Sequence, residues 1–331
     1  MKAMIMAAGV GSRLMPMTID IPKPMIPMVN QPLMANTIQL LQDHGFASII
    51  ANLHYHADCI SNYFGDGRAF KVSLDYSREE ELMGTAGGVK RCEWFLDETF
   101  VIVSGDALTD INLSGLVQAH KQKGALATIA LKEVQDVENF GVVITDENGL
   151  IKSFQEKPRA DEALSRVANT GIYVFEPEIF QCIPNGQFYD FGKQLFPQLV
   201  KIACPFYGVT VQDYWCDVGN IQTYRQAHID VLSGKVGINT EGNIISLENG
   251  GRVLLGNGAQ VGENVTFKGS VVIGLGCRIG DNVSISDSVI WNDTVIGNKA
   301  SIQESVIGSN CKISPGICIG AGAVIASGSS W

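Results

Sequence analysis

The sequence predicts an α/β protein in two parts: a mainly parallel, helix-flanked sheet over residues 1–234 and a parallel β-helix over 251–331, joined by a linker at 235–250. Three observations carry this. Short apolar runs alternate with amphipathic helical stretches as far as Gly234, the pattern of strands covered by helices. Beyond Gly234 the helical period disappears and an aliphatic residue recurs at every sixth position. The 331 residues also suffice for two separately buried cores.

In the first part, strands are predicted near Ala3–Ala7, Ser48–Leu53, Val72–Tyr76, Phe100–Ser104 and Ala127–Leu131. Helices are predicted near Leu33–Asp43, Ala86–Phe95 and Ser114–Lys123. Val142–Thr145 and Ile151–Phe154 flank the turn Asp146-Glu147-Asn148-Gly149 and predict an antiparallel insertion. Insertions of this kind often carry substrate contacts.

In the second part the six-residue series runs Leu255, Val261, Phe267, Ile273, Ile279, Ile285. It slips by one, resumes at Ile290, Ile296 and Ile302, slips again and continues through Ile307, Ile313, Ile319 and Ile325. A glycine often follows, as in Ile273-Gly274 and Ile296-Gly297. Each repeat then forms one flat side of a triangular coil. A β-helix needs its ends covered, so the close at Ser329-Ser330-Trp331 leads us to expect a further domain or another subunit there. A homo-oligomer built through the β-helix is the expected assembly.

Bulk properties narrow the function. A formal charge of −10, with no run of Lys or Arg, argues against nucleic acid as the main partner. The eight cysteines show no Cys-x-x-Cys spacing, so they read as buried thiols of a cytoplasmic protein, not a zinc or disulfide framework. No apolar run approaches about 18 residues, so no membrane partner is expected.

The chemistry begins after the first strand, at Ala7-Ala8-Gly9-Val10-Gly11-Ser12-Arg13-Leu14, followed by Pro22-Lys23-Pro24. Glycines allow a tight bend that turns bare NH groups toward an anion, and Arg13 and Lys23 add positive charge. Position 14 is Leu, where a dinucleotide loop needs glycine, and no Gly-Lys-Ser or Gly-Lys-Thr is present for a Walker loop. A nucleoside triphosphate is the expected guest. The two glycines alone would equally suit an empty strand-to-helix turn.

The strand Phe100–Ser104 leads into Gly105-Asp106 and puts a carboxylate at the sheet edge where ligands bind in open α/β folds. A second candidate lies in Trp215-Cys216-Asp217-Val218-Gly219. Asp106 and Asp217, with phosphate oxygens, would suit magnesium. Glu156 and Asn169 could hold sugar hydroxyls and Lys157 a phosphate. Glu79, Glu80 and Glu81 could accept from the N1 and N2 donors of guanine, which favours GTP, although such a run also suits a solvated loop.

Taken together, the motifs resemble the sugar-1-phosphate nucleotidyltransferases, most closely the bacterial mannose-1-phosphate guanylyltransferases. The resemblance rests on Gly9 to Pro16, Pro22 to Pro24, Gly84-Thr85-Ala86-Gly87, Gly105-Asp106, Phe140 to Val143, Glu156-Lys157-Pro158, Asn169-Thr170-Gly171 and Trp215 to Gly219, and it spans essentially the whole chain. Met83 and Met17 depart from it, at positions where proline and leucine are usual. The resemblance implies a Rossmann-like nucleotidyltransferase sheet followed by a left-handed β-helix.

It also implies that a sugar-1-phosphate oxygen attacks the α-phosphorus of the triphosphate and expels pyrophosphate, with GTP and mannose-1-phosphate giving GDP-mannose. Arg13, Lys23 and Asp106 would be catalytic, and Asp106 and Asp217 would hold Mg2+. Ala8, Gly9, Gly11, Ser12, Glu80, Gly84 and Thr85 would line the nucleotide; Gly141, Glu156, Lys157 and Asn169 would line the sugar phosphate. Two other readings stay open: the same reaction with glucose-1-phosphate and UTP, dTTP or ATP, and a silent regulatory subunit that binds nucleotide sugar. Acyl transfer on the β-helix is disfavoured because all five histidines precede the repeats.

Overall fold

The computed structural model describes every residue from Met1 to Trp331 except Asn249. The chain forms two compact units, one of Met1–Gly9 with Thr37–Trp215 and one of Val10–Asn36 with Cys216–Trp331. The glycine loop and the Pro22-Lys23-Pro24 segment thus share a unit with the β-helix.

The first unit is built on a nine-stranded sheet. Its main path runs Ile151–Glu156, Gly141–Thr145, Val167–Phe175, Phe100–Ser104, Lys2–Met6, Ser48–Leu53, Ser73–Arg78. Phe100–Ser104, Lys2–Met6, Ser48–Leu53 and Ser73–Arg78 pair in parallel. Val167–Phe175 enters antiparallel to Phe100–Ser104, and Ala127–Glu133 pairs with Val167–Phe175 off the main path. The expected insertion is the antiparallel pair Gly141–Thr145 and Ile151–Glu156. Ile102, Val103, Met4 and Ile50 are fully buried in this sheet, the continuous apolar runs of strands covered on both faces.

The helices are α1 (Leu33–Asp43), α2 (Ala57–Phe64), α3 (Gly84–Lys90), α4 (Leu113–Gln122), α5 (Phe196–Lys201) and α6 (Ile221–Ser233). Four differ from the sequence reading, among them α5, which was not expected. The helix expected at Ala86–Phe95 starts earlier and ends at Lys90; beyond it Cys92 and Phe95 make i to i−3 bonds to Val89 and Cys92. Those turns drop Phe95 and Leu96 into the core, so burial outweighs helix propensity there. Helix α2 was not foreseen, since one apolar stripe of Ile60 and Phe64 is too short to announce itself. Nor was α6, whose polar face hides a buried Tyr224, Ala227 and Val231.

In the second unit, strands of successive coils stack in parallel. Val253 pairs with Val271, eighteen residues on, and Val272 with Val289, seventeen on. Three six-residue sides make a coil, and the one-residue slips in the series are the seventeen-residue coils. Ile273, Ile285, Ile290, Ile302 and Ile307 point inward and are at most 1 % exposed. Val261 is 39 % exposed instead, so the series does not bury every member. Within the expected linker, Asn243–Ser246 pairs antiparallel with Arg252–Leu255; its position 249 lies outside the described residues.

All eight cysteines are unpaired thiols, but only Cys92, Cys277 and Cys311 are buried and Cys318 is exposed. This corrects the expectation of uniformly buried thiols: Cys318 precedes the inward Ile319 in a strand, and alternation turns it outward. Among the described residues no helix is long and apolar enough to cross a membrane.

Candidate active site

In the second unit, Gly11 takes a left-handed conformation, φ 72°, that only glycine adopts freely. Its carbonyl accepts from the Thr18 hydroxyl at 2.9 Å and from the Leu14 amide at 3.0 Å. Leu14 is buried and anchors the short turn Ser12–Leu14, leaving Ser12 and Arg13 exposed. A side chain at Gly11 would meet Lys23 Cβ at 2.8 Å, so glycine is what lets the loop lie against Lys23. Lys23 opens a turn whose φ is set by Pro22 and Pro24.

The Lys23 ammonium, 7 % exposed, stands 3.3 Å from Asp217 Oδ1, and the Arg13 guanidinium lies 3.9 Å from Asp217 Oδ2. A side chain on Gly219 would meet that carboxylate at 2.8 Å and Arg13 at 3.2 Å. The structure therefore brings Gly11, Arg13, Lys23 and Asp217 together. Two cations face one carboxylate, one held almost out of water, and a multiply charged anion is the chemical complement of that arrangement.

In the first unit, the amide of Ala7 donates to Asn52 Oδ1 at 2.9 Å, which fixes where Ala8 and Gly9 leave the sheet. Asn52 Nδ2 in turn donates to Glu79 Oε1 at 2.6 Å, and Glu79 Oε2 accepts from the Met83 amide at 3.1 Å. Glu79 is 5 % exposed and serves this bridge, whereas Glu80 and Glu81 are exposed. Of the three glutamates considered for base reading, Glu79 is thus committed to the scaffold. Glu79 and Asn52 were missed as a pair because they stand 27 residues apart, Asn52 within the strand Ser48–Leu53 and Glu79 just beyond the strand Ser73–Arg78.

Gly84 has φ 75° and leaves no room for a side chain, since a Cβ would meet the Tyr189 carbonyl at 2.6 Å. The Thr85 hydroxyl donates to Asp190 Oδ2 at 3.0 Å and accepts from the Phe191 amide at 2.7 Å, so its side chain ties two segments together. At the carboxyl end of Phe100–Ser104, the Gly105 amide donates to the Met6 carbonyl at 2.9 Å. Asp106 follows, half-buried, and accepts from the Ser104 hydroxyl at 2.5 Å.

Glu156 lies over two glycines: a Cβ on Gly141 or Gly192 would meet its Oε2 at 3.0 or 2.5 Å. Burial, aided by Asp190, pushes its carboxyl above the usual carboxylate range, while Lys157 and Lys193 pull it back. Lys157 is exposed at a left-handed φ of 47°. Asn169 uses both ends of its amide, donating to the Tyr173 hydroxyl at 3.0 Å and accepting from the Gly171 amide at 2.9 Å. Among the described residues no group of three or more His, Cys, Asp or Glu is arranged to hold a metal ion. Any metal held by Asp106 or Asp217 would take its remaining oxygens from substrate or water, as magnesium commonly does.

The chain is 40 % identical to the UTP–glucose-1-phosphate uridylyltransferase of Synechocystis sp., over 93 % of this chain and 87 % of that enzyme. It is 30 % identical to the mannose-1-phosphate guanylyltransferase of Mycobacterium tuberculosis, over 70 % of this chain and 65 % of that enzyme. Among solved structures it resembles HddC from Yersinia pseudotuberculosis complexed with GMP-PN, with TM-score 0.59 and 26 % identity over 68 % of this chain and 97 % of that one. Residues 245–330 match the EIF2B subunit epsilon LbH domain, a left-handed β-helix. With the nucleotidyl transferase pattern matching residues 2–234, the chain belongs to the nucleotidyl transferase family.

Proposed function

We propose that the protein transfers a nucleotidyl group from a nucleoside triphosphate to a sugar-1-phosphate and releases pyrophosphate. The observation that carries this is the convergence of Arg13, buried Lys23 and Asp217 on a glycine turn. In the reaction a sugar-phosphate oxygen forms a bond to the α-phosphorus as the bond to the β-phosphate oxygen breaks. Both reactants are anions, so charge neutralisation and in-line alignment do most of the catalytic work. Arg13 receives the departing pyrophosphate, Lys23 the phosphates near the reacting centre, and Lys157 the sugar phosphate. Asp106 and Asp217 are the proposed ligands of Mg2+, which supplies charge neutralisation at the phosphates when bound.

For the substrates we favour glucose-1-phosphate with UTP. The support is the 40 % identity to a uridylyltransferase across both parts of the chain, together with the commitment of Glu79 to Asn52 and Met83, which removes one of three carboxylates counted toward guanine. GTP with mannose-1-phosphate is the second reading, supported by the 30 % identity to a guanylyltransferase and by the exposed Glu80 and Glu81.

The test is pyrophosphate release with magnesium across GTP, ATP, UTP, CTP and dTTP against glucose-1-phosphate and mannose-1-phosphate. Turnover with UTP and glucose-1-phosphate supports the favoured pair, and turnover with GTP and mannose-1-phosphate selects the second. Nucleotide-sugar binding by folded protein with no turnover on any pair overturns the enzymatic reading in favour of a regulatory subunit.

A further inference from the structure

Lys23 is followed within the same unit by the hairpin Pro27–Met28 and Gln31–Pro32, which is held at two points, by Tyr224 of α6 backed by Trp291 of the β-helix and by Ile273 of the β-helix. The Tyr224 hydroxyl donates to the Pro27 carbonyl at 2.5 Å and accepts from Trp291 Nε1 at 2.8 Å. Tyr224 and Trp291 are 1 % and 3 % exposed, so no water substitutes for either bond. At the hairpin tip, Asn30 Nδ2 donates to the Ile273 carbonyl at 3.0 Å and to the Glu241 carbonyl at 3.1 Å.

Two further features show that these ties constrain the hairpin. Val29 sits at φ 46°, a conformation a β-branched residue adopts only when its surroundings impose it. Helix α6, which carries Tyr224, starts three residues after Asp217, at the Asn220 cap that accepts from the Thr223 amide at 2.9 Å. Asp217 closes the strand Trp215–Asp217 and α6 follows after the Asn220 cap, so a short stretch of chain joins the carboxylate opposite Lys23 to the helix whose hydroxyl holds the chain just beyond Lys23.

We propose that the β-helix is a working part of the phosphate site: through Trp291 and Tyr224 it holds the Pro27 carbonyl and so sets the position of Lys23 opposite Asp217. Tyr224 is a positioning residue in this account, acting through Lys23 and touching no substrate. The proposal rests on the reading that Lys23 meets phosphate.

The experiment measures the affinity for inorganic tripolyphosphate by calorimetry, with kcat and KM beside it, in wild type, Tyr224→Phe, Trp291→Phe and Lys23→Ala, and in Tyr224→Phe combined with Lys23→Ala. Ile313→Val, in the β-helix core, controls for general loosening. We expect Tyr224→Phe to weaken tripolyphosphate binding and lower kcat about tenfold, with the KM for sugar-1-phosphate nearly unchanged, because a small misplacement of a charged group is costly. In the Lys23→Ala background the same change should add almost nothing, the mark of two residues acting through one contact. Ile313→Val should lower the melting temperature and leave affinity and kcat alone.

Unchanged affinity in Tyr224→Phe, or a full additional loss on top of Lys23→Ala, overturns the inference, as does a wild type that does not bind tripolyphosphate. If Tyr224→Phe does not fold, Trp291→Phe decides by the same readouts. A wild type that binds tripolyphosphate but turns over no substrate pair defeats the proposed reaction and leaves the binding test intact.

Discussion

Lys23 and Asp217 are 194 residues apart in the chain, yet their charged groups stand 3.3 Å apart with the ammonium 7 % and the carboxylate 23 % exposed. A pair this dry loses hydration on both sides and gains fully only when its remaining hydrogen-bonding capacity is used. In the proposed reaction a phosphate would accept from both Lys23 and the neighbouring Arg13.

Lys23→Ala should lower kcat by about 10²–10³-fold, the usual loss when one preorganised charge at a reacting centre is removed. Pyrophosphate release under saturating substrate checks this. Lys23→Arg should recover little, since a longer planar guanidinium does not reproduce a compact, buried ammonium 3.3 Å from Asp217. A loss of less than about fivefold for Lys23→Ala would remove Lys23 from the proposed chemistry.

Gly11→Ala tests the loop itself. The new Cβ would meet Lys23 Cβ at 2.8 Å at a φ of 72°, so it both strains the backbone, by about 1–2 kcal/mol, and displaces the lysine. Turnover should fall at least about tenfold. A melting curve checks that the loss exceeds what the drop in stability explains.

Asp106→Asn should abolish turnover and leave the fold intact. The new amide oxygen can still accept the Ser104 hydroxyl that now meets Asp106 at 2.5 Å, but the charge proposed to hold Mg2+ is gone. Near-normal rates, measured across a magnesium titration, would sink the ligand assignment.

Glu79 and Glu80 should behave oppositely. Glu79→Ala strands the Asn52 amide and the Met83 NH that its carboxylate now satisfies, at a cost of about 2–4 kcal/mol. Glu80→Ala, at an exposed site, should stay within about 0.5 kcal/mol. Urea unfolding of the two variants makes the comparison, and Glu80→Ala then reports cleanly on nucleotide preference.

His228 sets a pH dependence of stability. It is 2 % exposed, packs edge-on against Tyr224 at 4.6 Å, and neither ring nitrogen has a hydrogen-bond partner. Burial pushes its pKa down from 6.5 to about 3, and the Pro27 carbonyl, too poorly placed to form a bond, counters this only in part. The unfolded chain therefore binds a proton that the folded chain refuses. This contribution is fully present above pH 6.5 and is lost as pH falls toward about 3, with a slope of up to about 1.4 kcal/mol per pH unit. His228→Leu should flatten that part of the profile in urea unfolding at pH 7, 6 and 5; an unchanged slope would mean the ring is protonated in place.

Much of the fold was legible because its signals are local. Ser48–Leu53, Phe100–Ser104 and α1 have the ends read from their apolar spacing, and the six-residue series with its two slips announced the coils of the β-helix. Candidate residues were likewise legible where glycine or proline marks a special backbone, as at Gly11, Lys23, Gly84 and Gly141. Asn52, Glu79, Asp190 and Tyr224 carried no such mark. Each is an ordinary polar or aromatic residue whose role depends on a partner far off in the chain.

By itself, then, the amino-acid sequence determined the two architectures and the family, since periodicity, glycine and proline act over a few residues. Tertiary structure alone decided that Glu79 bridges Asn52 and Met83, that Asp217 faces Lys23, and that the hairpin after Lys23 is bonded to Tyr224 and Ile273. Those outcomes turn on burial and on which chain segments return to the same place, and only the packed structure brings such partners within hydrogen-bonding distance.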